Sequence, residues 1–307
     1  MSVIIAGVLP IFAMIALGWG LRASKFLPAE SWPPIERITY FVFYPGFLLP
    51  AAWGADFADA SAFALLGATI GAVVAFGTAL IVIKPLLRVD GPAFTSVFQG
   101  VLRWNSFIFL TMVLAIYGEA GVGLAAIVLG AMIPVINVLC VLVLARWGDH
   151  GHEASWKNAL LGMAKNPVIL ACAAGLILNA LGVPRPPILM RALDFLSDAA
   201  LTLGLIAVGA GLSFRYAVSQ PILIGAISTA KLIAMPLVMW AICRALGGSE
   251  QAQGIALICG SAPGAAASYV LARQMGGDSH LIAGVIAFTT AASVITIPLL
   301  LGAFHLG

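Results

Sequence analysis

The stretch Gly260-Ser261-Ala262-Pro263-Gly264-Ala265-Ala266-Ala267-Ser268 decides how the rest of the chain is read. It lies inside an apolar run from Gln251 to Ala272, long enough to cross a bilayer. Its centre is built from residues that weaken a helix. Pro263 removes a backbone donor and clashes with the preceding turn, while Gly260 and Gly264 add backbone freedom and little packing. Hydrocarbon offers no partner to a freed N–H or C=O, so non-helical backbone at membrane depth is tolerated only inside protein or beside a watery cavity. Two readings follow. The helix breaks at mid-membrane and turns its amides and carbonyls towards a substrate, or it is a proline kink between closely packed helices.

Working outward, the composition points to a polytopic membrane protein. Hydrophobic residues make up 62% and charged ones 9%, against about 25% charged in an ordinary soluble domain. Ser2 to Leu21 has no basic residue ahead of its apolar core and Arg22 follows it, so it reads as a first membrane helix rather than a secretory leader. Ten apolar segments follow in order, at 3–21, 35–53, 62–83, 93–116, 121–145, 166–181, 192–213, 221–244, 252–272 and 280–304. Each is near the length of a spanning helix. Arg146 to Lys165 is the one sizeable hydrophilic stretch; it is read as a cytoplasmic loop dividing 1–145 from 166–307, five helices from five. Lysine and arginine fall ten to three on the side holding that loop, with Arg103 and Lys231 left inside segments. The loop side is therefore cytoplasmic, and both termini lie outside a cell inner (plasma) membrane.

The halves resemble each other. Pro10-Ile11 followed by Gly18 matches Pro167-Val168 followed by Gly175, and Pro33-Pro34-Ile35 matches Pro186-Pro187-Ile188. Five crossings per half turn the second copy upside down, and inverted repeats with a broken helix in each are a recurring design of secondary transporters. The partner of the Pro263 segment is the fourth, where Arg103-Trp104-Asn105-Ser106-Phe107 places two poor mid-helix residues, Asn105 and Ser106. The symmetry favours paired breaks over two kinks.

These residues are similar to the auxin efflux carrier family. The resemblance rests on Tyr44-Pro45-Gly46, Phe98-Gln99-Gly100 leading into Asn105-Ser106-Phe107-Ile108, Pro263-Gly264-Ala265-Ala266 with Ser268-Tyr269-Val270-Leu271-Ala272, and Thr289-Thr290 with Ser293 leading to Ile297-Pro298-Leu299. It covers essentially the whole chain. It implies an all-α fold of ten transmembrane helices, two inverted five-helix repeats related to sodium/proton antiporters, with helices four and nine broken and crossing. Helices one, two, six and seven would form a scaffold, and three to five with eight to ten a moving transport domain. It further implies a carrier of organic anions, auxin-like or dicarboxylates such as malonate and malate, working by an elevator-like slide, and a homodimer joined through the scaffold. The chain departs from the family pattern in the fourth segment. Ser106 stands where the family has threonine, the glycine is absent, and no proline lies between Pro92 and Pro134.

Candidate substrate contacts follow from the breaks. A helix starting after Pro263 offers free N–H groups and partial positive charge near Gly264, Ala265, Ala266 and Ala267. A break near Asn105 would offer a second start, and the two would face one carboxylate. Asn105 can bind substrate or cap freed backbone. Ser106, Ser261 and Ser268 are further candidates, although serine in a membrane helix often bonds only its own helix. Trp104 and Tyr44 lie near the supposed site and would contact an aromatic ligand or simply pack. Arg103 and Lys231 are the ionisable residues inside segments, placed to attract an anion or to neutralise carbonyl ends. No Asp or Glu lies deep in a segment; Asp194 and Asp198 share a face near a helix end. A proton would travel on the substrate carboxyl or on Lys231. The cysteines Cys140, Cys172, Cys243 and Cys259 are isolated, and His150, His152, Asp149 and Glu153 read as a solvated loop rather than a metal site. No cofactor, metal, nucleic acid or catalytic constellation is expected. The alternative is a sodium-coupled anion symporter of the bile acid type.

Overall fold

Helices carry the described residues of the computed structural model, 2–55, 60–149 and 165–304, with no strand among them. α1 (Ser2–Ala23) leads to α2, where Trp32–Ile38 and Tyr44–Trp53 are joined by a π-helical turn, Thr39–Phe43. α3 (Ala60–Ile83), α4 (Gly91–Leu102) and α5 (Ser106–Trp147) complete the first half. α6 (Pro167–Ala180) and α7 (Pro187–Gly211) open the second. In α8, Pro221–Thr229 and Met235–Ala245 are joined by a second π-helical turn, Ala230–Ala234. α9 (Glu250–Ser261), α10 (Ala266–Met275) and α11 (Ser279–Ala303) end the chain.

Two details differ from the hydropathy reading. The expected link between the fourth and fifth segments is a kink within α5 at one residue, Gly118, with φ 65° and ψ −162°; glycine takes this conformation without strain. The fourth segment is broken without help from proline. The chain leaves α4 at Arg103 (φ −87°, ψ 141°) and enters α5 after Asn105, whose carboxamide caps the new helix.

Among the described residues, five stretches are long and apolar enough to cross a membrane, and a sixth if α9 and α10, bent by 45°, count as one. The chain is thus a multi-pass membrane protein. Ten crossings is a finer statement than this count. Gly7–Ala23 and Pro167–Ala180 are shorter apolar helices, and Gly91–Trp147 counts once although it contains a break and the Gly118 kink. His150, His152, Glu153 and Trp156 lie outside the described residues.

Packing forms two groups. In one, α1 packs on α7, and α2 on α6 and α7. Asn179 Nδ2 donates to the Trp53 and Ala55 carbonyls at 2.7 and 2.8 Å, and Trp53 Nε1 donates to the Val183 carbonyl at 2.9 Å. In the other, α8 packs on α3 and α9, and α4 on α11. Ser96 Oγ donates to the Asp278 carbonyl at 2.8 Å, and the Asp278 N–H donates to the Pro92 carbonyl at 3.1 Å. Between the groups, several contacts are small or apolar. Phe107 sits against the Tyr44 ring at 4.3 Å, where a Cβ on Gly204 would collide with it, and Gly130 faces Cys172.

α1 and α7 touch backbone to backbone: a Cβ on Gly18 would overlap the Ile206 carbonyl, and one on Gly209 the Ile15 carbonyl. Overpacking a fitted contact costs about 1–3 kcal/mol. Gly209→Val is therefore expected to lower the melting temperature of the detergent-solubilised protein by several degrees, read by intrinsic-fluorescence melting. An unchanged melting temperature would contradict this close approach.

Candidate functional site

The two helix breaks meet. Residues 103–105 between α4 and α5, and 262–265 between α9 and α10, are non-helical. The Asn105 N–H donates to the Pro263 carbonyl at 2.7 Å. Buried backbone in the second break is satisfied from α11. The Gly264 N–H donates to Thr289 Oγ1 at 3.1 Å, and that hydroxyl donates in turn to the Val285 carbonyl at 2.6 Å.

The two new helix starts differ. Asn105 Oδ1 accepts from the Phe107 and Ile108 N–H groups at 3.0 and 3.2 Å, so the start of α5 is closed by its own cap. Its amide nitrogen is the half left for a ligand acceptor. α10 begins after Ala265 with no side-chain cap, and Ala266 and Ala267 are exposed. Of the two starts expected to face a carboxylate, only that of α10 is open, with free N–H groups and the positive end of its dipole.

Extended backbone sends successive side chains to opposite sides, and here it separates Arg103 from Trp104. Arg103 lies beside Cys140 and within electrostatic reach of Tyr40, and its Nη1 is buried without a hydrogen-bond partner. Tyr40 lies beside Asn166, the cap of α6. The Tyr44 hydroxyl is buried near Ser106 and also lacks a partner. This side of the break faces α2 and α6. On the other side the buried indole of Trp104 meets Lys231, whose Nζ is 5.5 Å from the ring centroid. Lys231 is fully buried, within electrostatic reach of Cys259, and has no hydrogen-bond acceptor.

Tyr40 and Lys231 each ride on a π-helical turn. The Tyr44 N–H donates to the Thr39 carbonyl and the Met235 N–H to the Ala230 carbonyl, in each case five residues back. The next residue in each helix is proline, Pro45 and Pro236, which has no N–H to continue an ordinary ladder. Such single π turns are frequent at functional sites.

Of the residues singled out in the sequence, Arg103, Ser106 and Tyr44 gather on the α2 side of the first break, Pro263, Gly264 and Ala265 form the second, and Asn105 ties the two together through the Pro263 carbonyl. Ser261 Oγ donates to the Leu257 carbonyl of its own helix at 2.7 Å. Ser268 Oγ, in the first turn of α10, is buried without a partner. Lys231 stands apart, behind Trp104. Tyr40, Asn166 and Thr289 also reach the site and were not singled out as contacts; the Asn-Pro pair at 166–167, a helix start, is the one local signal among them. Two apolar grooves, one lined by Val8, Phe12, Val294 and Pro298, run between α1 and α11 and offer no charge to hold an anion. The arrangement at the breaks suits a carboxylate: a guanidinium fork, an amide, phenolic hydroxyls and an open helix start.

Residues 152–301 match the family model described as membrane transport protein. Over 196 residues the chain is 30% identical to a protein of Rhizobium meliloti (strain 1021) named "Putative malonate transporter". The match spans 59% of this chain and 61% of that relative.

Proposed function

We propose that the chain is a member of the auxin efflux carrier family of membrane transport proteins and, within it, a secondary transporter of small organic anions that binds a carboxylate where its two helix breaks meet. The observation that carries the proposal is the buried, unpartnered Arg103 Nη1, next to the Asn105–Pro263 bond that brings the open start of α10 to the same place. Arg103 is partly buried, yet this nitrogen is shut off from solvent, and a donor buried without an acceptor is costly; an arriving carboxylate supplies the acceptor.

The proposed architecture has ten crossings in two inverted repeats of five, with the segments α4 plus the start of α5 and α9 plus α10 crossing at their breaks. The packing supports it. Exchanging halves turns the α1–α7 contact into the α6–α2 contact and returns α3–α8 to itself. The proposed motion is an elevator-like slide of α3–α5 and α8–α11 against a scaffold of α1, α2, α6 and α7. Every long-range hydrogen bond whose distance is given above stays inside one group, so a slide breaks none of those bonds; the polar meeting of Tyr40 and Tyr44 with Arg103 and Ser106 lies at the proposed site itself. The same reading carries a homodimer through the scaffold and an inner-membrane location with both termini outside.

The relative's name makes malonate the first anion to try and the family makes indole-3-acetate the second. Wild-type protein in liposomes is expected to take up one of them in labelled form. Pro263→Ala, which restores a backbone donor and favours a continuous helix, is expected to slow initial uptake by at least about tenfold, a barrier change of about 1.4 kcal/mol. Parallel runs with and without a sodium gradient test the sodium-coupled alternative. Uptake unchanged by Pro263→Ala would sink the role of the break, and no uptake of either anion would sink the substrate class.

A further inference from the structure

We propose that Lys231 is the proton carrier of transport: anion binding at the breaks brings one proton onto Lys231 Nζ, and the two cross together. The inference rests on the anion-carrier reading above. Lys231 is fully buried in the middle of α8, on the π turn Ala230–Ala234. Its Nζ has no hydrogen-bond acceptor and lies 5.5 Å from the centroid of Trp104, a residue of the first break. α4, α9 and α11 pack against this turn. The groups they bring are Cys259 on α9 and, beyond Trp104, Arg103 at the end of α4; α11 brings no acid or base after His280 at its start. The end of α9 is close as well, since a Cβ on Gly260 would collide with the Pro236 backbone.

No carboxylate therefore stands ready for an ammonium at this place among the described residues. An ammonium without a counter-ion is costly to bury, whereas a neutral amine is not. The indole face and the carbonyl end of α9 attract a cation, yet neither carries a full negative charge. A substrate carboxylate at the breaks supplies that charge, so proton and anion favour each other's binding. The balance is simple. Lys231 Nζ takes a proton from the side where the anion enters, no covalent bond to the anion forms, and Nζ returns the proton on the side where the anion leaves. A purely structural lysine, neutralising helix ends, would keep its charge state throughout.

The test measures proton uptake on binding. Purified protein is titrated with malonate by calorimetry at mildly alkaline pH, in buffers of different ionisation enthalpy. Wild type is expected to take up close to one proton per malonate bound, as linkage requires. Lys231→Arg, charged at all times, is expected to bind malonate with proton uptake near zero. In liposomes carrying an internal pH dye, it is expected to exchange malonate without moving protons. Lys231→Met is run beside it; should that variant fail to fold, the wild-type and Lys231→Arg titrations decide alone. Equal proton uptake by wild type and Lys231→Arg, or none by wild type, overturns the proposal. Failure of both malonate and indole-3-acetate to bind wild type overturns the anion-carrier reading beneath it.

Discussion

Replacing Arg103 by glutamine is expected to weaken anion binding by about 30-fold to more than 1,000-fold, because removing one partner of a buried charged hydrogen bond costs about 2–5 kcal/mol. Arg103 leaves α4 in extended backbone, so its side chain turns towards α2 and α6 while Trp104 turns the other way. One arm of its guanidinium is buried and unmatched. Glutamine keeps a polar group of smaller reach and removes the charge. Arg103→Lys keeps the charge and loses the planar fork, so a smaller loss, about tenfold, is expected. Equilibrium binding of labelled malonate to detergent-solubilised protein reads both. A glutamine variant that binds within twofold of wild type removes Arg103 from the site.

Asn105→Asp is expected to abolish transport while leaving the fold intact. Asparagine and aspartate are comparable caps, so the bonds from Phe107 and Ile108 survive the change. What is lost is the amide donor, and what is gained is a negative charge where a carboxylate must arrive. Asn105→Ala makes the opposite trade. It removes the cap, at about 1 kcal/mol, and adds no repulsion, so it should melt earlier and retain part of its transport. Melting temperature and initial uptake rate, measured on both variants, separate capping from binding. If Asn105→Asp transports at the wild-type rate, Asn105 only ends a helix.

The sequence shows the helical segments clearly because a bilayer demands long apolar runs and leaves few alternatives. The break at Pro263 is equally plain, since proline cannot donate to the turn before it. The break at Arg103 to Asn105 carries no proline or glycine, and its only signals were an asparagine at mid-segment and the analogy between halves. A capping side chain replaces what proline does in the other break, and capping is visible only once the chain has left the helix. Gly118 falls between the segments 93–116 and 121–145, and nothing local marks it as the one non-helical residue within α5. The π turns at Thr39–Phe43 and Ala230–Ala234 follow from the prolines after them, Pro45 and Pro236, but an ordinary kink would have satisfied the same sequence. Tyr40, Asn166 and Thr289 lie on α2, the start of α6 and α11; the Asn-Pro pair marks a helix start and Thr289 belongs to the Thr289-Thr290 motif, but neither says which break its side chain meets. The opposite placement of Arg103 and Lys231 is likewise a product of three dimensions: both read as buried cations near a break, and only the extended backbone at 103 and 104 sends them to different sides.

The most direct test of the account is to locate the bound anion. Crystals soaked with bromomalonate would place the ligand by the anomalous signal of its bromine. The account predicts a peak at the meeting of the two breaks, with the carboxylates in hydrogen-bond reach of Arg103 and of the open start of α10. A peak in the apolar grooves between α1 and α11, or anywhere that leaves Arg103 without a ligand, would contradict it.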